Sequence, residues 1–177
     1  MSSNNGANCT VLIEQVTPVV DDEISAKRLA AVLRHIENVQ DNCKLLGTRL
    51  IEQGRVEFGR TLIANGLIHD NSKLSGIEWE YLHEDVKETN AVLFQLAYQQ
   101  HIKTNPHHIE FWGNIEAMPE IYIAEMICDW KSRSSEFGTD FWLWVKEKAT
   151  KKYKFTIHSR PYKSIKNFAD LLLDMPF

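Results

Sequence analysis

The sequence predicts an all-α protein, a bundle of six or seven helices. Three observations carry that expectation. Apolar residues recur at spacings of three and four through most of the chain, helix-start and helix-stop residues punctuate those stretches, and the single β-like run has no second run to pair with.

Residues 1–8 are small and polar and hold no hydrophobic signal core, so they read as a disordered start. Val11-Leu12-Ile13 and the segment 16–20 then read as a short strand or an extended arm, giving an N-terminal tail over 1–23 and one domain over 24–177. The first helix is expected over 24–53, with a stripe of Leu29, Val32, Leu33, Ile36, Val39, Cys43, Leu46 and Leu50. Asp21-Asp22 or Ser25 would start it, placing carboxylates at the positive end of the helix dipole, and Gly54 would end it. His35 shares a flank of the stripe.

A second helix over 56–68 should bury Phe58, Leu62, Ile63 and Leu67, with Asn65-Gly66 bending or splitting it. His69 and Asp70 fall at its end. Neighbours on a helix do not share a face, so both can reach one point only if the backbone turns locally. Ser75-x-x-Glu78 has the capping-box form and opens a helix carrying Trp79, Tyr81, Leu82 and Val86, with His83 on its surface. The next helix, over 89–102, should bury Val92, Leu93, Leu96 and Ala97 or Tyr98, and brings His101 close to the inner face. Thr104-Asn105-Pro106 breaks it directly before His107-His108, and Phe111-Trp112-Gly113 closes a wall.

Pro119 should occupy the first position of a helix on which Tyr122, Met126, Asp129 and Arg133 share a face. A half-buried Asp129 must be paired; a metal ion and a salt bridge to Arg133 are the two ways to do so. A C-terminal extension over 139–177 follows. It has a short aromatic helix with Phe141, Trp142 and Trp144, eight basic residues between positions 146 and 166, and a last helix over 165–175.

Composition narrows the function classes. At 44% hydrophobic and 25% charged, the 177 residues are those of an ordinary globular domain, and a net charge of −4 gives no general argument for nucleic-acid binding. Cys9, Cys43 and Cys128 are too widely spaced for a disulfide framework or a zinc ribbon, which points to a reducing cytoplasm. No apolar run approaches the roughly 18 residues of a membrane span.

The chemistry concentrates on His69-Asp70. An imidazole nitrogen and a carboxylate oxygen side by side suit a divalent metal, and the carboxylate can bridge two ions. The pair is accompanied, in order, by His35, His101, His107, His108 and Asp129, so five of the seven histidines join one series. Three imidazoles between His101 and His108 are costly to accumulate in a core without a cation. His108 is expected as the ligand of that neighbouring pair, with His107 turned to substrate or to an outer acceptor. Glu125, one turn before Asp129, is a further acceptor candidate.

This order resembles the HD-domain superfamily of metal-dependent phosphohydrolases, H … HD … D. It is also similar to the two-metal branch, H … HD … H … HH … D. The nearest likeness is to small HD-like proteins of bacteria and phages sharing HDxSK (His69 to Lys73), H-x-x-x-N-x-HH (His101 to His108) before Phe111-Trp112, and E-M-x-x-D-W (Glu125 to Trp130). It spans about residues 25–135 and lacks the GYP segment of the cyclic-dinucleotide phosphodiesterases, so their substrate does not carry over.

The resemblance implies an HD-like bundle whose His35, His69, Asp70, His101, His108 and Asp129 hold one or two divalent ions. Mn, Fe, Co, Ni or Zn fit best, with Mg admitted. Asp70 and Lys73 would be catalytic, Lys73 meeting a phosphate, and His107, Glu125 and Arg133 would contact substrate or orient ligands. The implied partner is a small phosphate ester, in first place a nucleotide, hydrolysed in the cytoplasm of a bacterium or a phage-infected cell. Two alternatives belong beside it: an HD-type di-iron oxygenase, and a nucleotide-binding module with a degenerate site.

Overall fold

The computed structural model describes residues 22–154, 156 and 158–174. The arm expected over 9–20 lies outside them. Among the described residues every regular element is helical, and no helix is long and apolar enough to cross a membrane.

Helix α1 (Asp22–Glu52) is the spine, with Asp22 and Glu23 in its first turn. Its buried stripe runs Val32, Ile36, Val39, Cys43, Leu46 and Leu50, while Leu29 and Leu33 of the expected stripe are exposed. Helix α2 (Val56–Ile68) folds back along it. The helix is not split at Asn65-Gly66, and Gly66 lies where α2 touches Cys43. Leu62 is buried, but Leu67 is exposed, because Gly59 and Gly66 turn towards α1 and rotate Leu67 outward.

A 3₁₀ turn (Asn71–Leu74) leads to two short helices, α3 (Gly76–Tyr81) and α4 (Glu84–Thr89), where one was expected. Helix α5 (Ala91–Thr104) buries Ala97 and Ile102 and leaves Val92 and Leu96 exposed, contrary to the pattern reading. His83, expected on the surface, is buried with its Nε2 2.5 Å from the Trp79 carbonyl oxygen. After α6 (Ile109–Trp112), Pro119 serves as the N-cap of α7 (Glu120–Glu136) rather than its first residue. Helix α7 is buried on all sides from Ile123 to Trp130 and packs on α1, α2 and α10. The aromatic segment is α8 (Phe141–Trp144), a π-helical turn (Val145–Ala149) and α9 (Thr150–Tyr153).

Helix α10 (Arg160–Leu173) closes the core with Ile165, Phe168, Ala169 and Leu172. Ser159 caps it, its side chain accepting from the Tyr162 N–H, and Pro161 stands in the first turn.

The α1–α2 contact is close because glycines line it. A Cβ on Gly59 would collide with the Gly47 carbonyl oxygen, and one on Gly66 would lie 2.6 Å from the Cys43 Cβ. Gly59→Ala is therefore expected to lower stability by about 1–3 kcal/mol through overpacking, although Ala is the better helix former by roughly 1 kcal/mol. Urea denaturation reads the sign: a stabilised variant would show that the two backbones have room to part.

Candidate metal centre

The end of α2 performs the local turn that the His69-Asp70 pair requires. His69 is extended (φ −52°, ψ 131°) and Asp70 is left-handed (φ 55°, ψ 16°), a region that Asp tolerates better than most residues. Both side chains then point inward, with His69 Nε2 3.5 Å from Asp70 Oδ2.

The two oxygens of Asp70 divide the site. Around Oδ2 stand His35 Nε2 at 3.3 Å and His69 Nε2, and His35 Nε2 is also 3.2 Å from Asp129 Oδ1. Around Oδ1 stand His101 Nε2 and His107 Nε2, each at 3.4 Å, and His108 Nε2 lies 2.9 Å from His101 Nε2. One set comes from α1, α2 and α7, the other from α5 and the loop after it. His35, His69 and Asp129 form one group able to hold an ion, and Asp70, His101, His107 and His108 form another.

Two features distinguish these groups from a hydrogen-bonded core. His35 Nε2, His69 Nε2, His107 Nε2 and Asp70 Oδ1 are buried without a hydrogen-bond partner, a costly condition for groups this polar. Their spacing also matches ligands on one ion: bonds of about 2.1 Å place neighbouring donors roughly 3.0 Å apart at octahedral angles and 3.4 Å at tetrahedral ones.

Carboxylates fix the outer ring nitrogens. Glu136 pairs with His35 Nδ1 at 2.9 Å, Glu125 with His69 Nδ1 at 2.9 Å, and Glu78 with His101 Nδ1 at 2.7 Å. In the neutral tautomer each Nδ1–H donates outward and each Nε2 lone pair faces the centre, the arrangement that orients metal-bound histidines. Ser72 Oγ donates to Glu78 at 2.9 Å, and Asn65 and Asn38 donate to Glu125 and Glu136 at 3.1 and 3.3 Å. The loop is pinned by Asn105 Nδ2, which donates to the His101 carbonyl at 2.9 Å, and by Trp112 Nε1, which donates to the Pro106 carbonyl at 2.8 Å.

The electrostatics are those of an anionic pocket. Burial opposes charge on Asp70, but Lys73 and the surrounding imidazoles outweigh it and hold the carboxyl well below its usual range. Asp129 is likewise held low, against burial, chiefly by His35. Glu125 is lowered to about 2, where His107 and His69 overcome burial. Burial also works against a charged His35, yet Asp129, Asp70 and Glu136 raise it to about 10. Burial and the neighbouring His107 and His101 lower His108 to about 2.

Every residue expected as a ligand is in this cluster. His107, expected on substrate or in an outer role, has its Nε2 3.4 Å from Asp70 Oδ1 and its Nδ1 3.4 Å from Glu125, while His108 Nε2 lies on His101. Glu78 is not the capping partner of Ser75; the side chain of Ser75 makes no cap bond, and Glu78 is buried on His101. Arg133 pairs not with Asp129 but with Glu136, at 3.0 Å. The sequence pattern does not mark Glu78 or Glu136 as acceptors for the histidines. For Glu136 the available signal was its place seven residues after Asp129, on the same face of α7. Lys73 is buried, with Nζ 2.5 Å from Asp70 Oδ2.

Fold and site define a class, the all-helical proteins with a buried histidine–carboxylate centre. Residues 25–171 match the model of the family of unknown function DUF5662, and the chain belongs to that family. No curated protein and no solved structure matches it.

The donor set predicts two ions per chain, and elemental analysis after reconstitution should find His101→Ala reduced from about two to about one with its helix content unchanged. Unaltered stoichiometry would remove His101 from the ligands. Metal uptake should also release protons at pH 7. Asp129, Asp70 and Glu136 favour the protonated ring of His35, raising its pKa to about 10, whereas only the neutral ring can bind a metal. Affinity must then fall as pH falls, about tenfold per unit for each proton displaced. Calorimetry in buffers of different ionisation enthalpy reads the proton count, and zero would contradict the protonated His35.

Proposed function

We propose that this protein is a metal-dependent phosphohydrolase acting on a phosphate ester, with a nucleotide as the first substrate class to test. The observation that carries this reading is the convergence of His35, His69 and His107 Nε2, all buried without a hydrogen-bond partner, on the two oxygens of Asp70. His35, His69, Asp70 and Asp129 would hold one divalent ion, and Asp70, His101, His107 and His108 the other. When bound, such a pair supplies Lewis-acid polarisation of phosphoryl oxygens and lowers the pKa of water.

The chain's own residues do the rest. Glu78, Glu125 and Glu136 hold the rings so that no reorganisation is needed when substrate arrives. Lys73 and Arg133 line one pocket of about 210 Å³ together with His35 and His101, so two cations face the place where a phosphate can approach the centre. There Lys73 would offset charge that builds on the phosphoryl oxygens as the ester bond breaks. The free, buried Cys43 and Cys128 accord with a reducing cytoplasm as the place of action.

A second reading, oxygen activation by an iron pair, draws support from the nitrogen-rich donor set of five imidazoles and two carboxylates. Metal content of the purified protein, then phosphate release from nucleotides with Mn, Co, Mg or Fe, separates the two. Release that needs Asp70 supports hydrolysis, whereas iron-dependent oxygen consumption without phosphate release replaces it.

Lys73→Met keeps much of the stem and removes the charge. In the metal-loaded enzyme it should lower kcat about 30- to 1,000-fold, with a smaller change in KM, because the contact strengthens in the transition state. A loss under about threefold at saturating substrate would place Lys73 outside the reaction.

A further inference from the structure

Beside the centre lies a second pocket of about 350 Å³ that the phosphohydrolase reading does not use. Its walls are aromatic. The rings of Trp130 and Tyr153 are nearly parallel (interplanar angle 9°, centroids 5.8 Å apart), and Trp144 meets Trp130 edge-on at 72°. His108, already part of the centre, is also in the wall of this pocket. Arg133 lines both this pocket and the one that holds Lys73, so the two cavities adjoin. Lys152 adds a second cation, with Nζ 2.8 Å from the Tyr153 hydroxyl.

Trp130 belongs to the core, and Trp144 and Tyr153 pack against it. Here Trp144 and Tyr153 are only half-buried and border open space, while Phe137, in the same lining, is 66% exposed. A concave site with flat aromatic walls and a few cations beside a reactive centre is the usual form of a small-ligand pocket, and ligand pockets run from roughly 300 to 1,000 Å³. At the lower end of that range the cavity takes one ring system, not two.

We infer that this aromatic pocket is a substrate subsite for one flat heteroaromatic ring system, of nucleobase size, on a phosphate ester. The ring would stack on the Trp130–Trp144–Tyr153 wall, and Arg133 would meet the phosphate where the pocket joins the centre. The ring assignment stands on the pocket alone; the orientation of the phosphate rests on the hydrolase reading.

The test uses the full chain stripped of metal, so that nothing turns over. Calorimetry and tryptophan fluorescence compare adenosine 5′-monophosphate, ribose 5-phosphate and inorganic phosphate. The ring-bearing ester should bind about 5- to 150-fold more tightly than ribose 5-phosphate, the range of base–aromatic stacking, and should quench the tryptophans. Trp144→Leu should remove most of that preference and leave affinity for inorganic phosphate unchanged. Tyr153→Leu serves if Trp144→Leu does not fold. Affinities within about twofold for the two esters in wild type overturn the inference, as does a preference retained by the folded variants. The two readings fail separately. Ring preference with no phosphate release under any metal sinks hydrolysis and keeps the subsite; equal turnover of ring-bearing and ring-less esters with no ring preference sinks the subsite and keeps hydrolysis.

Discussion

The structure depends on a buried carboxylate whose two oxygens face two sets of imidazoles. Asp70 is 2% exposed and sits in a left-handed conformation that only the stop of α2 provides. Burying a carboxylate is unfavourable unless it is paired, and Lys73 Nζ, 2.5 Å from Oδ2, supplies the pairing charge. Other carboxylates hold the outer nitrogens of three of the rings: Glu136 on His35, Glu125 on His69 and Glu78 on His101. Helix α7, buried all round through its middle, carries Glu125, Asp129 and Glu136 along one face.

That arrangement explains where the chain tolerates poor local choices. The glycines of the α1–α2 contact are weak helix formers, yet they let α2 approach α1 closely enough for His69 to stand within 5.8 Å of His35, ring centroid to ring centroid. Asn42 ties the same level of α1 to α7 through Ser132 Oγ at 2.8 Å and the Cys128 carbonyl at 3.3 Å. The polar centre is held between an apolar floor, formed by Val39, Cys43, Leu46, Met126 and Ile127, and the loop pinned by Asn105 and Trp112.

Much of this is legible in sequence, for a physical reason. Helical periodicity and stop residues act locally, so α2 spans 56–68 as read and α1 differs by two residues at its start and one at its end. The metal-type residues stand out because imidazoles and carboxylates are rare on apolar stripes. The outer carboxylates do not stand out. Glu78 occupies a capping-box position, and the pattern cannot register that a histidine 23 residues later needs it more. Leu67, Val92 and Leu96 fail similarly: a stripe of apolar residues marks a face, but which face is covered depends on helices that arrive from elsewhere. His107 and His108 are separable only by the conformation of their loop.

The proposed centre stands or falls on whether the Asp70 carboxylate is shared by two ions. Crystals of the protein grown with Mn and measured for anomalous scattering test it directly. Two peaks are expected about 3.5–4 Å apart on either side of the Asp70 carboxylate, one facing His35, His69 and Asp129 and the other facing His101, His107 and His108. A single peak, or two peaks that do not share Asp70, would contradict it.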